Sequence, residues 1–125
     1  MADVYFTPRE LDVMSVLWER ESATVAEVRE ALQEELAYTS VLSALQTLEK
    51  KGFVRHEQEG IAYRYHPLVE SERAGSSALA RIREAIFQGS TERMFAQFVT
   101  ARGVSREELE RMQKLLAERL REEEP

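Results

Sequence analysis

The chain has 125 residues, 43% of them hydrophobic and 32% charged, which is typical of one small soluble domain or of such a domain with a helical extension. It contains no cysteine and no apolar run near 18 residues, which excludes disulfides, thiolate chemistry and a membrane-spanning helix. The formal net charge of −6 argues against nucleic acid as a partner, because binding to phosphate usually needs a basic surface.

Two helices are predicted early in the chain, each opened by a capping box. Thr7 can cap a helix that has Pro8 at its first position and Glu10 completing the box, and Thr24 and Glu27 repeat the pattern. The residues expected to face the core are Leu11, Met14, Val16, Leu17 and Trp18 in the first helix and Val25, Val28, Ala31, Leu32 and Leu36 in the second.

A third helix is predicted after a short break at residues 37–38. Thr39 and Ser40 are suitable N-cap residues, and the helix should end at Lys50-Lys51-Gly52, where Gly52 can adopt a left-handed conformation. Its apolar residues recur at helical spacing: Val41, Leu42, Leu45 and Leu48.

Two β-type runs, Phe53–Gln58 and Ile61–Tyr65, follow this helix and predict a hairpin that turns at Glu59-Gly60. With Glu59 and Gly60 as the turn, Arg55 and Arg64 share one face of the hairpin. Two helices joined by a short turn and followed by a hairpin predict a winged helix-turn-helix. The register places Gln58 opposite Ile61, His56 opposite Tyr63, Val54 opposite Tyr65 and His66 opposite Phe53.

Three more helices are predicted after the hairpin, beginning at Ser71, at Ser90 or Thr91, and at the capping box that Ser105 opens. The fold class is therefore mainly α with a small β-hairpin: a winged helix-turn-helix domain at 1–69, then a helical dimerisation region at 70–125. About 50 residues cannot bury so many apolar side chains alone, which favours a homodimer. The predicted dimer contacts are Phe87, Met94, Phe95, Phe98, Leu109, Met112, Leu116 and Leu120.

The polar side of the third helix carries short side chains that suit close approach to a major groove. Gln46 can read adenine bidentately, and the threonine and alanine methyl groups can contact thymine. Between Leu36 and His56 there are three cations and one anion, so a small positive surface can exist on an acidic body. The predicted DNA-binding residues are Thr39, Ser40, Ser43, Ala44, Gln46 and Thr47 on the helix, and Lys50, Arg55 and Arg64 for phosphate.

Other function classes have weaker support in the sequence. No nucleophile-elbow, zinc-protease, P-loop or dinucleotide motif is present, and neither a cofactor nor a metal site is expected, since His56 and His66 lie apart on the predicted hairpin. The polar face of the third helix could also be an ordinary solvated surface. The alternative function is a winged helix that binds other proteins without specific DNA binding, which the acidic surface favours.

Four segments resemble the penicillinase-repressor family, which includes copper-responsive repressors. They are FTPRELDVMSVLWER at Phe6–Arg20, TVAEVREAL at Thr24–Leu32, AYTSVLSALQTLEKKGFVRHE at Ala37–Glu57 and GIAYRYHPLV at Gly60–Val69. The resemblance implies a bacterial homodimer that represses transcription by binding an inverted-repeat operator in double-stranded DNA. The lack of a membrane-spanning run and of a signal peptide predicts a cytoplasmic protein with no membrane partner.

Two departures from the family pattern concern the releasing signal. The C-terminal cysteine pairs of copper-responsive members are absent, which excludes copper sensing by that route. In β-lactam-responsive members a sensor protease cuts an Asn-Phe bond, and the matching residues here are Gln97 and Phe98. Proteolytic release at Gln97-Phe98 is therefore an open alternative, with glutamine in place of asparagine.

Overall fold

The computed structural model describes residues 4–32 and 35–125. In the described parts of the chain the sheet has three strands and the remaining elements are helices. The elements are α1 (Pro8–Arg20), β1 (Ala23–Thr24), α2 (Val25–Ala31), α3 (Tyr38–Lys50), β2 (Val54–Glu59), β3 (Ala62–Pro67), α4 (Ser71–Ile86), α5 (Thr91–Thr100) and α6 (Arg106–Glu122). None of the described helices combines the length and apolar character that crossing a membrane requires.

Residues 1–80 form one compact unit and residues 81–125 a second, with the boundary inside α4. The first unit holds the hydrophobic core, because α1, α2 and α3 each turn an apolar side towards the same sheet. The sequence predicts a boundary between residues 69 and 70, where a winged helix-turn-helix domain ends and a dimerisation region begins. That boundary stays a prediction. Among the described residues, the large side chains with less than 2% exposure are Val13, Met14, Leu17, Val25, Val28, Val41, Leu45, Leu48 and Val54, with Ala23 also enclosed.

The predicted mainly α architecture with a hairpin is confirmed, and the sheet has one strand more than the sequence predicted. The antiparallel order is β1-β3-β2, so the two-residue β1 pairs with the hairpin through Ala23↔Tyr65 and Thr24↔Arg64.

Trp18 lies half-buried against this core, as predicted, and its Nε1 donates a hydrogen bond to the carbonyl oxygen of Val69 at 2.8 Å. That bond joins α1 to the chain just beyond the hairpin.

The predicted helix starts at both capping boxes are confirmed. The Thr7 hydroxyl accepts from the Glu10 N–H at 3.2 Å while the Glu10 carboxylate accepts from the Thr7 N–H at 2.8 Å. Thr24 and Glu27 repeat the arrangement with the same two distances. Each box satisfies two backbone donors that the first turn of a helix leaves without partners.

Two predicted helix boundaries are wrong. The second helix ends at Ala31, so Leu32 and Leu36 lie beyond it, although both still pack against the core. The N-cap of α3 is Ala37, with no side-chain cap, and Thr39 and Ser40 lie inside the first turn. The chain enters the helix early because Ala37 already has the extended conformation of a cap residue, at φ −69° and ψ 145°. Gly52, at φ 84°, ends α3 as predicted.

The predicted hairpin register is wrong by two residues. Glu59 pairs with Ala62, Gln58 with Tyr63 and His56 with Tyr65, so the turn residues are Gly60 and Ile61. Only Gly60 of these two has a positive φ, 63°, and a II′ turn needs glycine at its first central position. Because side chains alternate with a period of two, this shift leaves Arg55 and Arg64 on one face, as predicted.

The second unit, residues 81–125, has few enclosed side chains. All its residues are described, and neither α5 nor α6 contains a buried one. Ser90 caps α5 and the Ser105–Glu108 capping box opens α6, which confirms both predicted helix starts. Its large exposed hydrophobic side chains are Ile82, Ile86, Phe95, Phe98, Leu115, Leu116 and Leu120.

An ion pair between a buried carboxylate and an exposed ammonium group ties the start of α1 to the end of α3. Lys51 Nζ lies 2.9 and 2.8 Å from the two carboxylate oxygens of Glu10, a residue that is only 4% exposed. Burial raises the pKa of Glu10, but the hydrogen bonds from Lys51 and the Thr7 N–H outweigh it, so that the pKa lies below its ordinary value of 4.5. The folded state therefore favours the ionised carboxylate.

The Glu10–Lys51 pair makes stability depend on pH on the acid side. A depressed carboxyl pKa stabilises the fold above about pH 4.5, and that stabilisation is lost as the pH falls through the folded-state pKa. We expect Glu10→Gln to lower the free energy of unfolding at pH 7 by roughly 1–3 kcal/mol, the worth of a hydrogen bond to a charged group. Urea unfolding at fixed protein concentration should show the difference from wild type shrinking below pH 4.5.

Glu19→Gln is the matched control, because Glu19 is exposed on the same helix. It should change stability by less than about 0.5 kcal/mol at either pH, as surface substitutions usually do. An equal and pH-independent loss in the two variants would show that the Glu10 carboxylate does not stabilise α1 through its charge.

Candidate nucleic-acid interface

Helix α3 has a buried side and an open side. Val41, Leu45 and Leu48 have no exposed surface and fix the helix on the core. The predicted binding residues lie on the other side and are exposed, except Ala44, which is half-buried and packs against the core. The exposed ones are Thr39, Ser40, Ser43, Gln46, Thr47 and Lys50.

The exposed residues are arranged in a row along the helix. Thr39, Ser43, Gln46 and Lys50 follow one another at intervals of three or four, so they lie on one face. This face offers hydroxyl groups, one carboxamide and one ammonium group, and no carboxylate within the row. It can donate to and accept from base edges in a groove wide enough for a helix.

The end of α3 is joined to the first strand of the wing, by which we mean the hairpin β2–β3. His56 Nδ1 lies 2.7 and 2.8 Å from the two Glu49 carboxylate oxygens, and the His56 N–H donates to Glu49 at 3.2 Å. The His56 ring also meets Tyr63 edge-on, at 5.0 Å between ring centroids, and lies over the buried Tyr65 at 5.3 Å. The polar end of α3 and the wing therefore form one surface.

The two predicted phosphate contacts of the wing differ in their surroundings. Arg55 is exposed, and its Nη1 lies 3.7 Å from a Glu57 oxygen, a loose surface pair of little energetic weight. Glu57 also lies 2.9 Å from His66 Nε2, so both histidines contact a carboxylate. Within the described residues no three metal-ligating side chains come together.

Arg64 is half-buried and has partners around its guanidinium group. Its Nη1 lies 3.1 Å from Glu27 and 3.3 Å from the Ser22 hydroxyl, its Nη2 lies 3.0 Å from Glu59, and its Nε donates to Glu59 at 3.1 Å. Its side chain is 24% exposed. The pKa of Glu27 lies below its ordinary value, chiefly because its carboxylate accepts a hydrogen bond from the Thr24 N–H. Partial burial raises this pKa, and the charge of Arg64 lowers it.

Two residues of this surface were missed from the sequence. Tyr38 is the first residue of α3 and is 46% exposed, and Ile61 at the tip of the wing is completely exposed. Tyr38 was assigned to the break before the helix, and Ile61 to a strand. The sequence does carry a signal for Ile61. When Gly60 takes the first central position of a two-residue turn, Ile61 takes the second.

The match to known proteins covers nearly the whole chain. Residues 6–118 match the family model described as penicillinase repressor. The chain belongs to the penicillinase-repressor family. This confirms the resemblance seen in the four sequence segments, and because the family consists of repressors the chain is not an enzyme.

Two relatives illustrate the range of similarity. The transcriptional regulator BlaI of Mycobacterium tuberculosis (strain CDC 1551 / Oshkosh) is 34% identical over 110 residues, which are 85% of this chain and 78% of that protein. The methicillin resistance regulatory protein MecI of Staphylococcus aureus (strain N315) is 21% identical over 109 residues, 86% of this chain and 89% of that protein.

Solved structures agree on the fold. The solution structure of the DNA-binding domain of the repressor BlaI is similar with a TM-score of 0.52 and 27% identity, over 58% of this chain and 90% of that domain. A MarR family protein from Bacillus stearothermophilus is similar with a TM-score of 0.56 and 20% identity, over 95% of this chain and 76% of that one. The predicted winged helix followed by a helical region is thereby confirmed.

Proposed function

We propose that this protein is a transcriptional repressor that binds double-stranded operator DNA with α3 in the major groove. The observation that carries the proposal is the two-sided character of α3, which is anchored by side chains without exposed surface and presents a row free of carboxylates. The similarity to a BlaI DNA-binding domain supports it, since that domain has the same fold. In this proposal Gln46 reads an adenine, and Lys50 and Arg55 contact phosphate.

The repressor acts as a homodimer on an inverted repeat. The support comes from the second unit, where Phe95 is 46%, Phe98 60% and Leu116 50% exposed. An exposed apolar surface of this extent on so small a unit is typical of a protein–protein interface. A symmetric pair of chains would bury these side chains and present two copies of α3, which matches the symmetry of an inverted repeat.

Release from the operator and location in the cell follow from family membership as proposals. A sensor protease that cuts between Gln97 and Phe98 would have to reach residues in the middle of α5, where both side chains are exposed. Cleavage there would cut the proposed dimer region and leave the winged helix intact. We place the repressor in the cytoplasm, where its operator DNA would be.

Specific binding is tested by selecting duplexes from a random-sequence pool with the purified protein. We expect enrichment of one inverted-repeat sequence. Gln46→Ala should then lower the discrimination at one base pair in each half-site by about 1–3 kcal/mol, the usual worth of a bidentate base contact. Binding to a panel of single-base variants measures this directly.

Gln113→Ala is the matched control, because Gln113 is an exposed glutamine on α6 and should leave every base preference unchanged. Failure of the unaltered protein to enrich any sequence would contradict the repressor function and favour the protein-interaction alternative. Enrichment with unchanged preferences in Gln46→Ala would remove Gln46 from the interface and leave the repressor function standing.

The dimer is tested by placing a charge on the exposed apolar surface. Phe98→Glu should convert the protein from dimers to monomers in sedimentation equilibrium, because a carboxylate would have to be desolvated in the interface. Gln97→Glu adds the same charge to the neighbouring exposed position, which points away from the apolar side of α5, and should leave the dimer intact. Dimers of equal stability in both variants would show that the interface lies elsewhere.

A further inference from the structure

One guanidinium group ties the wing to two other segments of the winged helix, in addition to the β1–β3 pairing and the Glu49–His56 contact. All three nitrogens of Arg64 have a partner, and the partners come from three segments of the chain: Ser22 before β1, Glu27 in the first turn of α2 and Glu59 at the end of β2. The Glu27 oxygen that Arg64 contacts, Oε1, also accepts the capping hydrogen bond from the Thr24 N–H. The same carboxylate thus sets the start of α2 and the position of β3.

This arrangement leaves Arg64 unsuited to neutralising phosphate. The cluster of Arg64, Glu27 and Glu59 carries a net charge of −1, so from outside it repels an anionic backbone. A phosphate that bound the Arg64 guanidinium would have to displace the carboxylates of Glu27 and Glu59. Both carboxylates would then lie close to the phosphate and repel it. Lys50 and Arg55, by contrast, are exposed.

We propose that Arg64 is a positioning residue, which sets the angle of the wing against α2 and α3 without contacting DNA. This inference rests on the proposed function, because the wing angle matters only if the wing meets DNA beside α3. The side chains that the fixed wing presents are those at its open end and face, among them the fully exposed Ile61 and the half-exposed Tyr63.

The chemistry of the two roles differs enough to separate them. Arginine presents a planar fork that can contact Ser22, Glu27 and Glu59 together, whereas lysine is a point charge that still binds phosphate. A positioning role is therefore lost in Arg64→Lys as well as in Arg64→Gln. A phosphate contact would survive in Arg64→Lys.

The experiment measures affinity for the duplex selected above as a function of salt, for the full-length wild type, Arg64→Lys, Arg64→Gln and Lys50→Gln. We expect both Arg64 variants, folded by circular dichroism, to bind on the order of tenfold more weakly, the loss typical of a broken charge-assisted contact. Their slope of log affinity against log salt should equal that of the wild type. In Lys50→Gln the slope should be shallower by roughly 0.9 per subunit, as expected for one lost phosphate contact.

A second measurement uses the unaltered protein and so does not depend on how the variants fold. The ¹⁵N–¹H signal of the Arg64 Nε–H group should keep its position when the selected duplex is added, since its partner Glu59 is retained. A large shift of that signal, or wild-type affinity in Arg64→Lys together with a shallower slope in Arg64→Gln, would overturn the positioning role and make Arg64 a phosphate contact. Unchanged affinity in both folded variants would also overturn the positioning role, because Arg64 would then contribute to the fold without affecting DNA binding. Absence of selective binding by the wild type would overturn the proposed function itself.

Discussion

Two glutamates that cap helices also hold the domain together. Glu10 and Glu27 occupy the same position, the third residue of α1 and of α2, and each closes a capping box. Each also contacts a cation later in the chain: Glu10 contacts Lys51 at the C-terminal cap of α3, and Glu27 contacts Arg64 in β3. The N-termini of α1 and α2 are therefore tied to the end of α3 and to β3, respectively.

These pairs bear on the proposed DNA binding of an acidic chain, because they use both carboxylates and cations. The carboxylates of Glu10 and Glu27 are paired with Lys51 and Arg64, and the row along α3 carries uncharged and cationic groups. Each subunit is left with few exposed cations near the groove, chiefly Lys50 and Arg55. Since phosphate contacts supply much of the affinity for DNA, the proposed repressor needs two subunits on one operator.

The sequence predicted well those features whose signals are local. The capping boxes at Thr7 and Thr24 and the helix end at Gly52 depend on residues within one turn of each other, and all three are present. The register of the hairpin was predicted wrongly because the turn type depends on which residue takes the positive φ. The exposed side of α3 followed from helical period alone, except at Ala44, whose half-burial depends on its neighbours in space.

The role of Arg64 could not be predicted, because its partners are remote in sequence. Glu27 is 37 positions away, and it comes within reach only because Thr24 in β1 pairs with Arg64 in β3. A two-residue strand such as β1 has no periodic signal of its own. A cation on a wing suggests a phosphate contact until its carboxylate partners are seen.

Joint action of two copies of α3 on one operator can be measured by comparing the selected inverted repeat with a duplex that carries a single half-site. Fluorescence anisotropy at fixed salt would give both affinities. Linking two binding events typically increases affinity by about a hundredfold or more, so the half-site duplex should bind at least about a hundredfold more weakly than the inverted repeat. Affinities within a few-fold of each other would contradict it, since one subunit would then suffice.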